Sequence, residues 1–436
     1  MPGRRRSAPS GGSAVRAATS VGAKILLVKL SSLGDVVHTL PVVQDILAAR
    51  PDAQIDWVVE QSFEPLLAPL LESGLRRVIS CNLRRWRKSP LAAATRAEWH
   101  TFKTQLQAVP YDAVIDLQGL TKSALVARLA RLSPAGKRYA LANQTEGSGY
   151  EAPTRWVADV AIAIEPHIHA VLRSRELCAR ALAYAVPTAL DYGLKSALAL
   201  SSREKFAIQT IAFVHGSSRA DKQWPLENWT ALGRQFMALG YRIALPHGSD
   251  DELATSHAIA AALNGDDEHY SVELEGSPSS GGRRAGFAGP QALRLAVGTR
   301  SDERGGGSPL QAGAAEPASP GRRGSAPSGG RELHEVSERG GAIVWPRLAL
   351  DALTQKLAQC AGVIGVDSGL SHIAVALDLP HVQIYNFDTA WRTAPQPHAS
   401  ANCQVSVYGQ PTPTVQAVWD AWLECQPAGA EDWAAS

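Results

Sequence analysis

Short apolar runs alternate with segments of helical period along most of this chain. Ile25–Val28, IDWVVE (Ile55–Glu60), Ala113–Leu117, Thr210–Val214, Arg242–Leu245, Val363–Val366 and Val382–Tyr385 read as strands, several of them apolar enough to be buried on both faces. Between them lie helical patterns. One starts near Asp35, with Val36, Leu40, Val43 and Leu47 on one face. Others cover Phe63–Leu70, Ala92–Val109, a stretch from about Thr121, His169–Tyr184, stretches opening at Pro225 and Ser249, Leu350–Cys360, a helix ending near Leu377, and an amphipathic Thr414–Cys425. Gly136–Pro153 reads as a loop. Strict alternation of strand and helix predicts an α/β fold with parallel, doubly wound sheets. The pattern restarts after a linker at Pro187 to about Ser202, so we expect two such domains, 24–190 and 203–425.

Two stretches break the alternation. The first 23 residues and 266–341 are dominated by Gly, Ser, Arg, Pro and Ala, and PGRRRSAPSGG at Pro2–Gly12 is nearly repeated at Pro320–Gly330. Neither has a period that would bury a face, so both are expected to be disordered appendages, with 426–436 a short tail. At 436 residues and 45% hydrophobic content the remainder is ample for two cores. A formal net charge of +2 argues neither for nor against a nucleic-acid partner, and none is expected. The five cysteines are scattered without a Cys-x-x-Cys pair, which fits a reducing compartment and offers no zinc pattern. No apolar stretch is long enough to span a bilayer, and the arginines at 4–6 have no apolar core behind them. The expectation is a cytoplasmic protein in reach of a membrane surface.

Candidate chemistry gathers where strands end, the usual place for ligands in open α/β sheets. After the first strand comes LSSLGD, ending in Asp35, either a carboxylate at a crevice or a helix cap. After the third come Gln118 and Lys122, the latter equally an ordinary surface lysine. Leu83–Lys88, LRRWRK, is either a solvated charged face or a site for phosphate and carboxylate groups. In the second half, Ser217, Ser218 and Lys222 suit a diphosphate, or are turn residues beside a surface lysine. DSGLSH (Asp367–His372) places small residues at a helix start, where backbone N–H groups favour phosphate, with His372 one turn in or simply a core histidine. No G-x-G-x-x-G with its acidic partner, no G-x-x-x-x-G-K-[ST] and no Asp-x-Asp occurs, which disfavours a dinucleotide redox enzyme, a P-loop enzyme and an acidic metal clamp.

Taken together and in order, KLSSLGDVVHTLP, RRWRK (Arg84–Lys88), DLQGLTKSA (Asp116–Ala124), DKQWP (Asp221–Pro225) and GVDSGLSH (Gly365–His372) resemble the lipopolysaccharide heptosyltransferases of type I. The likeness covers about Lys24–Asn264 and Ala342–Cys425. It implies a GT-B fold, two Rossmann-like domains facing across a cleft. It also implies inverting transfer of L-glycero-D-manno-heptose from ADP-heptose to the Kdo of Kdo–lipid A, with no cofactor or metal. By motif, Asp35 resembles the catalytic base and Lys222 the group that steadies departing ADP. Ser217, Ser218, Lys222, Glu252, Leu348, Asp367, Ser368, Gly369 and His372 resemble donor contacts. Arg84, Arg85, Arg87, Lys88, Gln118 and Lys122 would face the anionic acceptor. The resemblance implies a peripheral protein on the cytoplasmic face of the inner membrane, expected to be a monomer. Transfer to the first heptose, as in the second heptosyltransferase, and a degenerate nucleotide-sugar-binding protein are the alternatives. After Tyr385 the chain has Asn386-Phe387-Asp388 where that pattern has a Gly-Pro-Thr turn.

Overall fold

The computed structural model describes residues 22–198, 209–265, 341–396 and 402–425, so most of the proposed N-terminal tail and insertion, and all of the proposed C-terminal tail, lie outside the described residues. Six strands form a first sheet: β1 (Lys24–Val28), β2 (Gln54–Glu60), β3 (Leu75–Cys81), β4 (Tyr111–Asp116), β5 (Leu132–Leu141) and β6 (Val160–Ile162), in the order β3-β2-β1-β4-β5-β6. Six more form a second: β7 (Thr210–Val214), β8 (Arg242–Leu245), β9 (Ala342–Val344), β10 (Gly362–Val366), β11 (His381–Tyr385) and β12 (Gln404–Tyr408), in the order β12-β11-β10-β7-β8-β9. Every pair is parallel. Counted from its own first strand, each sheet has the order 3-2-1-4-5-6, so each reverses direction once, between β1 and β4 and between β7 and β10. Crevices open at such reversals, beyond the carboxyl ends of the strands.

The core follows from the apolar runs. Ile25 to Val28 are wholly buried, Ile25 and Leu27 packing on one face of the first sheet and Leu26 and Val28 on the other. In the second sheet Ile211, Phe213, Ile243 and Leu245 pack under Trp229, Phe236 and Trp422.

Several elements depart from the sequence reading. The first helix is two: Leu33–Val37, then Pro41–Ala49 with Pro41 at its first position, where a missing N–H costs nothing. β3 is disguised by Arg76 and Arg77, which the buried Asp56 carboxylate draws in together with Tyr111 Oη. β5 runs through Gly136 into the supposed loop. Its pairing with β4 jumps from Tyr111↔Leu132 to Ala113↔Lys137, so Pro134–Gly136 sits in a bulge. A Cβ at Gly136 would lie 2.3 Å from the Tyr111 carbonyl oxygen, which is why glycine stands there. The edge strands β6 and β9 have three residues each, too few to show a pattern, and β12, QVSVY, alternates polar and apolar residues rather than forming an apolar run. Cys403 and Cys425 are joined as a disulfide, a pairing that their spacing gave no reason to expect.

Candidate active site

Asp35 is the third residue of the Leu33–Val37 helix, just past the end of β1. Its two oxygens do different things. Oδ2 accepts from the Ser32 backbone N–H (3.2 Å) and the Ser32 hydroxyl (2.9 Å), the capping role. Oδ1 faces two cations, Lys29 Nζ at 3.3 Å and Arg173 Nη2 at 3.6 Å. Lys29 and Arg173 are buried, whereas the Asp35 side chain stays 39% exposed. Lys29 also donates to the Leu117 carbonyl (3.2 Å), and Arg173 to Thr145 Oγ1 (3.1 Å). Burial works to raise the pKa of Asp35. Lys29 and Arg173, then the Ser32 hydrogen bond, outweigh it and hold the carboxyl well below the usual range. Burial lowers the pKa of Lys29, against the pull of Asp35. The result is a carboxylate ionised throughout the working range and open to solvent on one side.

The turn after β4 supports this group from below. Asp116, pushed up to about 6 by burial, accepts from the backbone N–H groups of Gln118 and Gly119 and from Ser123 Oγ. Gln118 spends its whole amide on the loop that carries Asp35: Oε1 accepts from Leu30 and Ser31 N–H, and Nε2 donates to the Ser31 carbonyl (2.6 Å). Lys122 Nζ reaches Ser31 Oγ at 3.2 Å. Next to it Leu83–Lys88 forms one short helix anchored by Trp86, whose indole N–H donates to Glu98 (2.8 Å) and whose ring packs with Trp99 and Phe102. Arg84, Arg87 and Lys88 are exposed, while Arg85 is ion-paired with Glu98. A hollow of about 230 Å³ lined by Trp86, Pro90, Thr95, Arg96 and Trp99 adjoins them.

In the second half, Lys222 closes a short 3₁₀ turn (Ala220–Lys222) in the loop after β7. Its Nζ lies 2.5 Å from Asp367 Oδ2, at the end of β10. Asp367 also meets His372 Nε2 (3.4 Å), Thr393 Oγ1 (3.3 Å) and Gln383 Nε2 (3.5 Å). Burial works to raise its pKa, and His372 and Lys222 hold it far below the usual range. Ser368 precedes the Gly369–Ala376 helix, and its hydroxyl is buried without a partner among the described residues. Ser217 and Ser218 lie in the Lys222 loop. Glu252 sits in the first turn of Asp250–Asn264, accepts from Gly248 N–H (2.6 Å), and lies so close to Gly216 that a Cβ there would be 2.5 Å from its carboxyl carbon. Leu348 is half-buried next to Arg347, which donates to the Gly248 carbonyl.

The two clusters meet. His38 and His372, from opposite halves, have ring centroids 4.1 Å apart. A Cβ on Gly34 would come within 2.8 Å of His372 Cδ2, and one on Gly369 within 2.7 Å of Leu33 Cδ2. Asp35 is therefore linked to Lys222 through the adjoining Gly34 and His38, then His372 and Asp367. Lys29 and Arg173 belong to this site and were not singled out from sequence. Lys29 is a lysine closing a buried strand, which is a readable signal. Arg173 comes from a helix 138 positions beyond Asp35, and nothing local marks it.

A family model described as glycosyltransferase family 9 (heptosyltransferase) matches residues 99–276 and 328–420. The chain is 31% identical over 374 residues to lipopolysaccharide heptosyltransferase 1 of Pseudomonas aeruginosa, covering 83% of this chain and 78% of that protein. Its fold matches the solved structure of E. coli heptosyltransferase WaaC with ADP, with a TM-score of 0.66 and 27% identity over 92% of this chain and 100% of that one. The same enzyme with ADP-2-deoxy-2-fluoro heptose matches with a TM-score of 0.62 and 27% identity over 92% and 99%.

Proposed function

Because this chain belongs to glycosyltransferase family 9, the heptosyltransferases, we propose that it transfers L-glycero-D-manno-heptose from ADP-heptose to the Kdo of Kdo–lipid A with inversion. The observation that carries this reading is the pairing of two strand-end clusters. A solvent-open carboxylate lies in one half and a half-buried Lys222 paired with the buried Asp367 and His372 in the other, the two touching through His38 and His372. The donor half of the reading is supported by the two WaaC structures, one with ADP and one with ADP-2-deoxy-2-fluoro heptose.

In this mechanism the acceptor hydroxyl oxygen attacks the anomeric carbon from the side opposite ADP. Its proton passes to Asp35, the carbon–oxygen bond to the diphosphate breaks, and ADP leaves with the electron pair. Asp35 accepts the proton late, as bond formation acidifies the hydroxyl, which suits a carboxylate held at low pKa by Lys29 and Arg173. Lys222 exchanges Asp367 for the diphosphate and, with the N-terminus of Gly369–Ala376, steadies its developing charge. No step is routed through a metal. Ser217, Ser218, Ser368 and His372 line the diphosphate and sugar, Glu252 holds the ribose, and Leu348 borders the adenine. Arg84, Arg87, Lys88 and Lys122 meet the acceptor's carboxylate and phosphates, with Arg85 bracing their helix through Glu98. Gln118 acts by holding the Asp35 loop. We read the protein as a monomer working at the cytoplasmic face of the inner membrane, where such an acceptor lies.

The test is transfer itself. Purified protein with ADP-heptose and Kdo–lipid A is expected to give a product heavier by one heptose. Asp35→Ala should abolish that product while still binding ADP-heptose. Absence of product, or heptose added only to an acceptor that already carries one, would overturn the assignment.

A further inference from the structure

The turn after β11 is where this chain leaves the pattern it otherwise follows. Asn386 stands there, and its side chain is fully employed. Both Nδ2 hydrogens are donated to backbone carbonyls, Asp221 O at 3.0 Å and Gln223 O at 2.9 Å. Its Oδ1 accepts from Thr412 Oγ1 at 2.8 Å. The amide orientation follows from chemistry, since two carbonyls require two N–H donors. The two carbonyls flank Lys222. We propose that Asn386 is a positioning residue that straps the Lys222 loop in place for its role at the leaving group. This rests on the reading of Lys222 as a donor contact.

The loop needs such a strap. Its own structure is one 3₁₀ turn, closed by Lys222 N–H to Arg219 O (3.1 Å) and Gln223 N–H to Ala220 O (3.1 Å). The Arg219–Asp221 pair on it is solvent-exposed and contributes little. Its far end is anchored where Trp224 Nε1 donates to Pro413 O (2.8 Å). Asn386 fixes the middle, tying the peptide units on both sides of Lys222 to the end of β11 and to the Thr412 segment. With those units fixed, exchanging Asp367 for a diphosphate is a rotation of the lysine side chain rather than a rearrangement of the loop. A glycine at 386 has no side chain to do this.

The experiment uses the full-length chain, with steady-state transfer kinetics, calorimetric ADP binding and amide hydrogen exchange. Asn386→Ala is expected to lower kcat about tenfold and weaken ADP binding, leaving the acceptor KM unchanged. Amides of 219–224 should exchange faster. Thr412→Val, which removes only the support behind Asn386, should act in the same direction with about a two- to threefold effect. In a Lys222→Ala background, Asn386→Ala should do nothing further. Parent-like kcat in Asn386→Ala, unchanged exchange in 219–224, or a loss additive with Lys222→Ala would each overturn the strap. Lys222→Ala as active as the parent would instead sink the reading of Lys222, and any route from Asn386 to the chemistry with it.

Discussion

Replacing Lys29 by methionine should bring the titration of Asp35 into view. Methionine keeps the length and apolar stem of Lys29 and removes one charge 3.3 Å from Asp35 Oδ1. Unit charges at that distance interact by about 1 kcal/mol in a water-like medium and about 5 kcal/mol at an effective dielectric of 20. The Asp35 side chain is 39% exposed, so solvent screens it and the lower part of that span applies, about 1–3 kcal/mol. At about 1.4 kcal/mol per unit, that is about 1 to 2 pKa units. In the parent the carboxylate is ionised at every pH where the protein is folded, so kcat/KM should be flat on the acid side until unfolding intervenes. In Lys29→Met, with Arg173 remaining and burial still pushing upward, the acid limb should move up by about 1 to 2 pH units toward the ordinary carboxylate range, shortening the flat acid side of the profile. Lys29→Arg keeps the charge and should keep the flat profile. The assay is ADP release across pH, with circular dichroism at each point to exclude unfolding. A Lys29→Met profile that overlays the parent's would refute the claim that this lysine governs the protonation of Asp35.

Other expectations follow from the same geometry. Lys222→Ala should cost about 10²–10³-fold in kcat, because a charge aimed at the leaving diphosphate is lost; a change confined to the acceptor KM would contradict its placement. Arg84→Ala, Arg87→Ala and Lys88→Ala combined should raise the acceptor KM, more steeply at low salt, with ADP affinity by calorimetry unchanged. Burial holds His169, His215 and His381 at about 4, below their unfolded value, so the stability they contribute is whole above about pH 6.5 and is lost as pH falls toward 4. His381→Asn keeps a donor for the Val363 carbonyl, which His381 Nδ1 meets at 2.9 Å, and should flatten part of that slope in melting temperatures measured from pH 4 to 7.

The alternation of apolar runs and helical periods carried the fold because buried parallel strands must be apolar on both faces. Where that rule is locally relaxed, the pattern failed. β3 tolerates Arg76 and Arg77 because both share the Asp56 carboxylate and keep part of their side chains in solvent, and β5 absorbs Pro134 and Gly136 in a bulge. Residues in the recurring motifs, among them Asp35, Lys222, Asp367 and His372, were legible as candidates because each follows the end of a strand pattern in a stretch of small and polar residues. Arg173 was not, since its helix reaches Asp35 only through tertiary packing. Gln118 was legible as a polar group at a strand end, but that its amide would turn inward to Leu30 and Ser31 depends on how two loops cross. The substituted turn at Asn386 looked like a loss in one dimension. Its side chain shows what stands there instead once the Lys222 loop is beside it.

The glycine contacts between the halves have a practical consequence. Where Gly34 faces His372 and Gly369 faces Leu33, only hydrogens fit. A single added methyl at Gly34 would act as a wedge that has to push the His372 ring and its helix away from the first half, while leaving every charged group in the chain. In such a variant each substrate should still find its own half, yet the two would be held out of reach of one another. A one-carbon change would thus uncouple recognition from turnover, separating the contribution of bringing two sugars together from that of gripping each one.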